Sequence, residues 1–166
     1  MSNRIVIIGA GSTNFGLGIV GDFFKSKILS GSTLVLHDIN PETLKNTYEI
    51  ALSYKEKLGV NFNIESTTSR SDALKKADFC LISIEVGNRF ELWEQDWKVP
   101  LQYGIKQVYG ENGGAGGLFH AMRQVPAIIK ICEDIEKICP EAFVFSYSNP
   151  MQRICHALNT RFPNLR

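Results

Sequence analysis

The sequence predicts a doubly wound α/β domain built on a parallel sheet, and three observations predict it. Arg4-Ile-Val-Ile-Ile-Gly9 is an unbroken apolar run closed by glycine, as a strand buried on both faces requires. Further strand-like runs alternate with helical patterns in the order β-α-β-α-β-α-β, a long insert, then α-β-α. Parallel neighbours need crossovers of about a dozen residues or more, and the helical stretches supply them.

The elements follow in order. After Gly9 a Gly- and Ser-containing turn leads into a helix over Phe15–Leu29, with apolar residues at 15, 19, 20, 23 and 24 on one face. Thr33–His37 is the second strand, closed by Asp38. Asn40 is placed to cap the next helix and Pro41 to open it, and the helix runs to about Leu58. Asn61–Thr67 alternates apolar and polar residues (Phe62, Ile64), which predicts a more exposed third strand. Ser71–Ala77 is a short helix and Asp78–Val86 a fourth strand. Residues 87–117 are polar, aromatic and glycine-rich, too long for an ordinary connection, and read as a functional loop insert. Leu118–Ile138 is a helix that Pro126 should kink or break. Ala142–Tyr147 is a fifth strand, followed by Asn149-Pro150 and a helix to about Arg161. No repeat or internal linker divides the chain, so residues 1–166 read as one domain.

Composition narrows the function classes. A chain of 166 residues, 44% apolar and 21% charged, has the make-up of a globular domain. Eighteen basic residues against 17 acidic leave a net charge of +1, which argues against a nucleic-acid partner. Cys80, Cys132, Cys139 and Cys155 form no CxxC pair and read as reduced thiols. The N-terminal apolar run is only strand length, and no apolar stretch reaches the roughly 18 residues of a membrane span. The expected location is the cytoplasm, with no membrane partner.

Four segments carry candidate chemistry. In Gly9-Ala-Gly11-Ser12-Thr-Asn14-Phe15, Gly9 permits a tight turn, and Gly11 lets backbone N–H groups approach a pyrophosphate at a helix N-terminus. Asn14 stands where a strict three-glycine fingerprint has its third glycine, but the turn sits between strand and helix as the fingerprint requires. Asp38 ends the second strand, where an acidic residue takes ribose hydroxyls, and no arginine follows within residues 39–44 to favour a 2′-phosphate. The expectation is a Rossmann-type domain that binds NAD. The second segment is Ile84-Glu-Val86-Gly87-Asn-Arg89, at the carboxyl end of the fourth strand, where ligands of open α/β sheets bind. Arg89 there either clamps an anion or is a solvated loop residue.

The third segment is Tyr109–Arg123, with five glycines in residues 110–117, a density that usually serves close approach to a ligand. His120 and Arg123, three apart on the following helix, share a face and are suited to a sugar hydroxyl or a carboxylate; a structural histidine is the alternative. The fourth is Ser146-Tyr-Ser-Asn149-Pro150, a strand end where Asn149 either orients cofactor and substrate or forms an ordinary Asn-Pro turn.

Together these segments resemble glycoside hydrolase family 4. NRFELWEQDWKVPLQYG (88–104), QVYGENGGAGGLFHAMRQVP (107–126) and FSYSNPMQRIC (145–155) look like its α-galacturonidase branch. The resemblance implies a glycosidase for α-galacturonides or related α-glycosides such as α-glucosides, without the usual carboxylate pair. It implies hydride transfer from C3 of the sugar to NAD, loss of the C2 proton, departure of the aglycone, and manganese as Lewis acid. It also implies NAD contacts at Gly9, Gly11, Ser12, Phe15, Asp38, Val86, Gly87 and Asn149. Substrate contacts fall on Arg89, Glu111, Asn112, His120, Arg123 and Asn149. The family's metal ligands and tyrosine base lie beyond Arg166, so no metal or catalytic acid–base residue is assigned within these residues. Cys155-His156 is not read as a substitute, because adjacent helical residues point about 100° apart. The expected entity is the N-terminal NAD-binding part, with the C-terminal catalytic domain absent, inactive alone and prone to homo-oligomerise through uncovered apolar surface. A lactate/malate dehydrogenase-like oxidoreductase and a non-catalytic NAD-binding module stay open as alternatives. The first fits the NRFELWEQDW and ENGGAGGLFHAMR runs poorly.

Overall fold

A computed structural model describes residues 2–12, 15–108 and 110–166; Asn14 and Tyr109, singled out above, lie outside them. The strands are β1 (Arg4–Ile8), β2 (Thr33–His37), β3 (Asn63–Thr67), β4 (Phe79–Ile82) and β5 (Phe143–Ser146). The helices are α1 (Gly16–Lys25), α2 (Pro41–Leu58), α3 (Arg70–Leu74), α4 (Arg89–Gln102), α5 (Gly114–Ile138) and α6 (Met151–Arg161). The sheet has the order β3-β2-β1-β4-β5 and every pair is parallel, with Val6 opposite both Val35 and Cys80. This is the doubly wound α/β fold that the apolar runs predict.

The chain divides into two compact units. One holds Met1–Ile84, Asp134–Ser146 and Arg166, and thus the whole sheet. The other holds Glu85–Glu133 and Tyr147–Leu165, and thus α4, most of α5, and α6. In the sheet unit Ile5, Val6, Ile7 and Ile8 are all buried, which is why β1 reads as a continuous apolar run without alternation. Ile5 and Ile7 belong to a core with Val20 and Phe24 of α1, Leu34 and Leu36 of β2, Leu44 and Ala51 of α2, and Ile64 of β3. The edge strand β3 buries Ile64 and leaves its neighbour Asn63 exposed, consistent with its weaker signal. Helix α2 shows how local chemistry fixes ends. The Asn40 side chain accepts from the Glu42 and Thr43 amides, Pro41 opens the first turn, and Gly59 closes the helix at φ 60°.

Several boundaries differ from the sequence reading. Helix α1 stops at Lys25 rather than Leu29, and Ile28 lies 90% exposed beyond it. Strand β4 ends at Ile82, short of Val86. The 87–117 segment, read as a loop insert, contains helix α4 and the first turn of α5. Helix α4 escaped notice because the residues it buries are Asp96 and Pro100, which leave no apolar stripe to detect. Helix α5 begins at Gly114 and continues through Pro126 without a break. The carbonyl deprived of its partner by Pro126 belongs to Met122, a residue 67% exposed, where water can substitute for the lost N–H. No helix among the described residues is long and apolar enough to cross a membrane.

Candidate cofactor turn and polar cluster

In the sheet unit the glycine turn is held by backbone bonds from above and below. The Gly9 and Ala10 amides both donate to the His37 carbonyl, at 2.9 and 3.0 Å. The Gly11 amide donates to Asp38 Oδ2 at 2.8 Å, and the Asn40 amide donates to Asp38 Oδ1 at 2.9 Å. Asp38 therefore ties the turn to the start of α2. Two amide bonds use only part of a carboxylate's acceptor capacity, leaving lone pairs for hydroxyl donors. The Phe15 amide donates to Ser12 Oγ at 3.4 Å and the Gly16 amide to the Ser12 carbonyl at 2.9 Å, so Ser12 organises the turn just ahead of α1.

Steric limits explain the glycines. Gly9 sits at φ +91°, and a Cβ there would fall 2.0 Å from the Ser83 carbonyl oxygen. At Gly11 a Cβ would lie 2.4 Å from Thr43 Oγ1 and 2.8 Å from Asp38 Oδ2. The third essential glycine is Gly16, where a Cβ would fall 2.0 Å from the Ala10 carbonyl oxygen. Sequence reasoning missed it by looking at position 14. The role is the familiar one, close packing of the helix start on the turn, met two residues later along the chain.

The second unit gathers a polar cluster. Glu111 Oε1 accepts from Asn149 Nδ2 at 2.6 Å, and its Oε2 accepts from Arg89 Nη2 at 3.3 Å. The Arg89 guanidinium also lies over the Trp93 ring, 4.1 Å from its centroid. His120 is fully buried, with Nε2 3.0 Å from Glu85 Oε1 and Nδ1 3.3 Å from the Glu111 carbonyl oxygen. Gln124, also fully buried, donates through Nε2 to the same Glu85 oxygen. Arg89, Glu111, His120 and Asn149 are thus brought together as a group. Arg123 is not among them: both of its terminal nitrogens bond the buried carboxylate of Asp96. That ion pair occupies the donors the sequence assigns to a substrate and raises the Arg123 pKa, chiefly through the Asp96 hydrogen bond. Asn112 is exposed, and its backbone leaves no room at Gly117, where a Cβ would fall 2.4 Å from the Asn112 carbonyl. Gly87, at φ +81°, abuts Leu92, and Val86 is partly buried beside it.

Glu85 and Gln124 are the residues sequence reasoning passed over. Gln124 had a signal, since it lies four residues after His120 on one helix face. Glu85 had none beyond its place at a strand end. Ligand-type atoms of Glu85, Glu111 and His120 fall within 4.8 Å of one another, the one such group among the described residues. Hydrogen bonds account for that closeness: both imidazole nitrogens are already engaged, so a cation would have to displace them. Cys155 and His156 are both exposed on α6 and belong to no such group. These residues do not fit a manganese centre of their own.

The two buried histidines carry opposite charge preferences. Burial dominates at His37 and lowers its pKa below 6.5, leaving a neutral ring whose Nδ1 lies 3.0 Å from the Thr67 carbonyl. At His120 burial opposes the charge, but the Glu85 hydrogen bond and charge, with the Glu111 contributions, outweigh it and raise the pKa above 6.5. The linkage signs follow. His37 costs stability as pH falls from 6.5 through its folded pKa, because the unfolded ring takes up a proton the native one refuses. His120 stabilises fully below 6.5 and loses that contribution as pH rises through its folded pKa. Within the range of about pH 5 to about pH 8, denaturant stability is expected to peak near the middle. The His37→Gln variant should flatten the acid side and His120→Gln the basic side. A wild-type profile that does not fall towards about pH 5 would contradict the His37 assignment, and one that does not fall towards about pH 8 would contradict the His120 assignment.

The parallel sheet and the glycine turn define a Rossmann-type α/β domain. The chain belongs to the family 4 glycosyl hydrolases, whose family model matches residues 4–166. It is 53% identical over 165 residues to an α-glucosidase of Erwinia rhapontici, covering 99% of this chain and 36% of that protein. It is 36% identical over 163 residues to an α-galacturonidase of Thermoanaerobacter italicus, covering 98% of this chain and 35% of the relative. A solved 6-phospho-α-glucosidase from gut microorganisms, in complex with NAD and Mn2+, superposes with a TM-score of 0.87 at 26% identity. That alignment covers 98% of this chain and 36% of the other. The chain therefore spans little more than a third of the length of these relatives.

Proposed function

We propose that this chain is the NAD-binding part of an α-glycosidase that works by redox-assisted elimination. The observation that carries the reading is the Gly9–Gly11 turn tied to Asp38, in a chain of a family whose solved relative is described with NAD and Mn2+. The Gly9–Ser12 turn, with Phe15 at the helix start, sets the N-terminus of α1 against the pyrophosphate, and Asp38 accepts ribose hydroxyls. Val86, Gly87 and Asn149 serve the nicotinamide portion. Arg89, Glu111, Asn112 and Asn149 serve the sugar; His120, expected beside them, is fully buried with both ring nitrogens engaged and does not reach it, and Arg123 acts by anchoring α4 through Asp96. When bound, NAD supplies a reversible hydride acceptor and Mn2+ supplies Lewis acidity, which lets a sugar be oxidised at C3, deprotonated at C2 and parted from its aglycone. We assign the metal to the complete enzyme, since in the one candidate group among the described residues both His120 nitrogens are spent on hydrogen bonds, and we assign the chain no complete catalytic set of its own.

Relatives named α-glucosidase, α-galacturonidase, α-galactosidase and 6-phospho-β-glucosidase all match this chain, and we take the substrate to be an α-glucoside or an α-galacturonide. The higher identity to an α-glucosidase favours a glucoside over a galacturonide. Four free thiols suit a reducing cytoplasm, and burial pushes the Cys132 thiol up to about 12. Exposed Leu118, Phe119 and Met122 on α5 give a surface through which copies could associate.

The Asp38→Asn variant tests the cofactor assignment. It removes the negative charge that strengthens a hydroxyl–carboxylate bond, a contribution of about 1.5–3 kcal/mol. NAD affinity measured by calorimetry should fall at least about tenfold, with the circular dichroism of the fold retained. Unchanged affinity would remove Asp38 from the site.

A further inference from the structure

We propose that His120 is a positioning residue: an imidazolium bonded on both nitrogens, which ties Glu85 to the Glu111 main chain and so holds the Glu111 carboxylate on Asn149 and Arg89. Its importance for catalysis rests on Glu111 and Asn149 being site residues, as read above; the positioning itself does not.

The argument is one of donor counting. A neutral imidazole has a single N–H donor and an imidazolium has two. His120 faces an acceptor on each side, Glu85 Oε1 at 3.0 Å and the Glu111 carbonyl at 3.3 Å, and it is fully buried. Only the doubly protonated ring satisfies both. A neutral ring, itself fully buried, would turn a lone pair on one of the two oxygens, which is costly. The surroundings balance the charge. Glu85 lies ahead of α4, Glu111 lies ahead of α5, and the Arg89 guanidinium of α4 reaches Glu111. Arg123 of α5 adds a further positive charge within reach of Glu85, though its own bonds go to Asp96. Trp93 presents its ring to the imidazole edge-on, with centroids 6.2 Å apart, and adds no competing acceptor.

Glu85 is fixed independently. Its Oε1 takes the amide of buried Gln124 in addition to the His120 ring. Glu85 and Gln124 therefore form a rigid mount, His120 a bridge, and Glu111 the group positioned. Loss of the His120 proton leaves one donor for two acceptors. The Glu111 backbone bond, the longer of the two, is the one released, and the carboxylate loses its fixed hold on Asn149.

Proton-resolved and nitrogen-resolved NMR on the 166-residue chain tests this without any ligand, so its outcome is separate from that of the NAD titration. The His120 ring should show two protonated nitrogens at neutral pH and a midpoint above the ordinary histidine value. The side-chain amide resonances of Asn149 should move with that same midpoint. Glu85→Gln should shift both midpoints downward together, and His120→Gln should abolish the pH dependence of the Asn149 amide. The wild-type titration decides the matter even where a variant fails to fold. A single protonated nitrogen on His120 at neutral pH, or an Asn149 amide that ignores the His120 titration, would overturn the proposal.

Discussion

The Gly9→Ala variant should lose about 2–6 kcal/mol of stability, a large share of the roughly 5–15 kcal/mol a folded domain usually has. Two costs combine. A non-glycine residue held in a left-handed conformation costs about 1–3 kcal/mol, and Gly9 sits at φ +91°. Forcing a methyl group into an occupied position adds about 1–3 kcal/mol, and the added Cβ would meet the Ser83 carbonyl oxygen at 2.0 Å. That oxygen is backbone at the end of a central strand, so it cannot swing aside as a side chain would. The control is Gly21→Ala in α1, where nothing lies within 4 Å of the added carbon. There the gain in helix propensity should raise stability by about 0.5–1 kcal/mol. Urea unfolding followed by circular dichroism reads both variants. A Gly9→Ala chain as stable as wild type would mean the turn is looser than its bonds to His37 and its close approach to Ser83 imply.

Breaking the Asp96–Arg123 pair is the second large effect. Asp96 is 6% exposed, and both guanidinium terminal nitrogens of Arg123 are committed to it. Arg123→Met leaves an uncompensated buried carboxylate, which costs about 3–5 kcal/mol when one partner of a buried pair is removed. The loss should be seen as early melting of the unit containing α4 and α5. The double variant Asp96→Leu/Arg123→Met removes both charges and should recover most of the loss, since well-packed apolar replacements of buried pairs are often neutral. A single variant that costs under about 1 kcal/mol would place the pair among ordinary surface ion pairs.

How much of this was legible in the sequence depends on what each element buries. Strands β1 and β2 bury Ile5–Ile8 and Leu34–Leu36 on both faces, so an apolar run alone revealed them. Helix α2 announced its start through Asn40-Pro41. Helix α4 did not, because it buries a charge and a proline, and a hydrophobic period has nothing to register there. The site shows the same division. The glycine turn and Asp38 were readable because backbone geometry restricts which residues can stand there. Strand ends and the helix after the glycine-rich segment singled out Arg89, His120 and Asn149, the resemblance added Glu111, and the fold gathers all four. Glu85 was invisible because its importance lies in a hydrogen bond to a residue 35 positions away. Arg123 looked like a ligand residue for the converse reason: its partner Asp96 sits on a helix the sequence did not disclose.

The central claim is that the first two strands and their turns make a site for NAD rather than for a phosphorylated dinucleotide. With Asp38 on the ribose as proposed, its carboxylate would repel a 2′-phosphate, and residues 39–44 hold no arginine to compensate. Parallel calorimetric titrations of the purified chain with NAD and NADP test it most directly. The predicted result is NAD binding at least about tenfold tighter, a difference of about 1.4 kcal/mol or more. Equal affinity for the two, or binding of neither, would contradict the assignment.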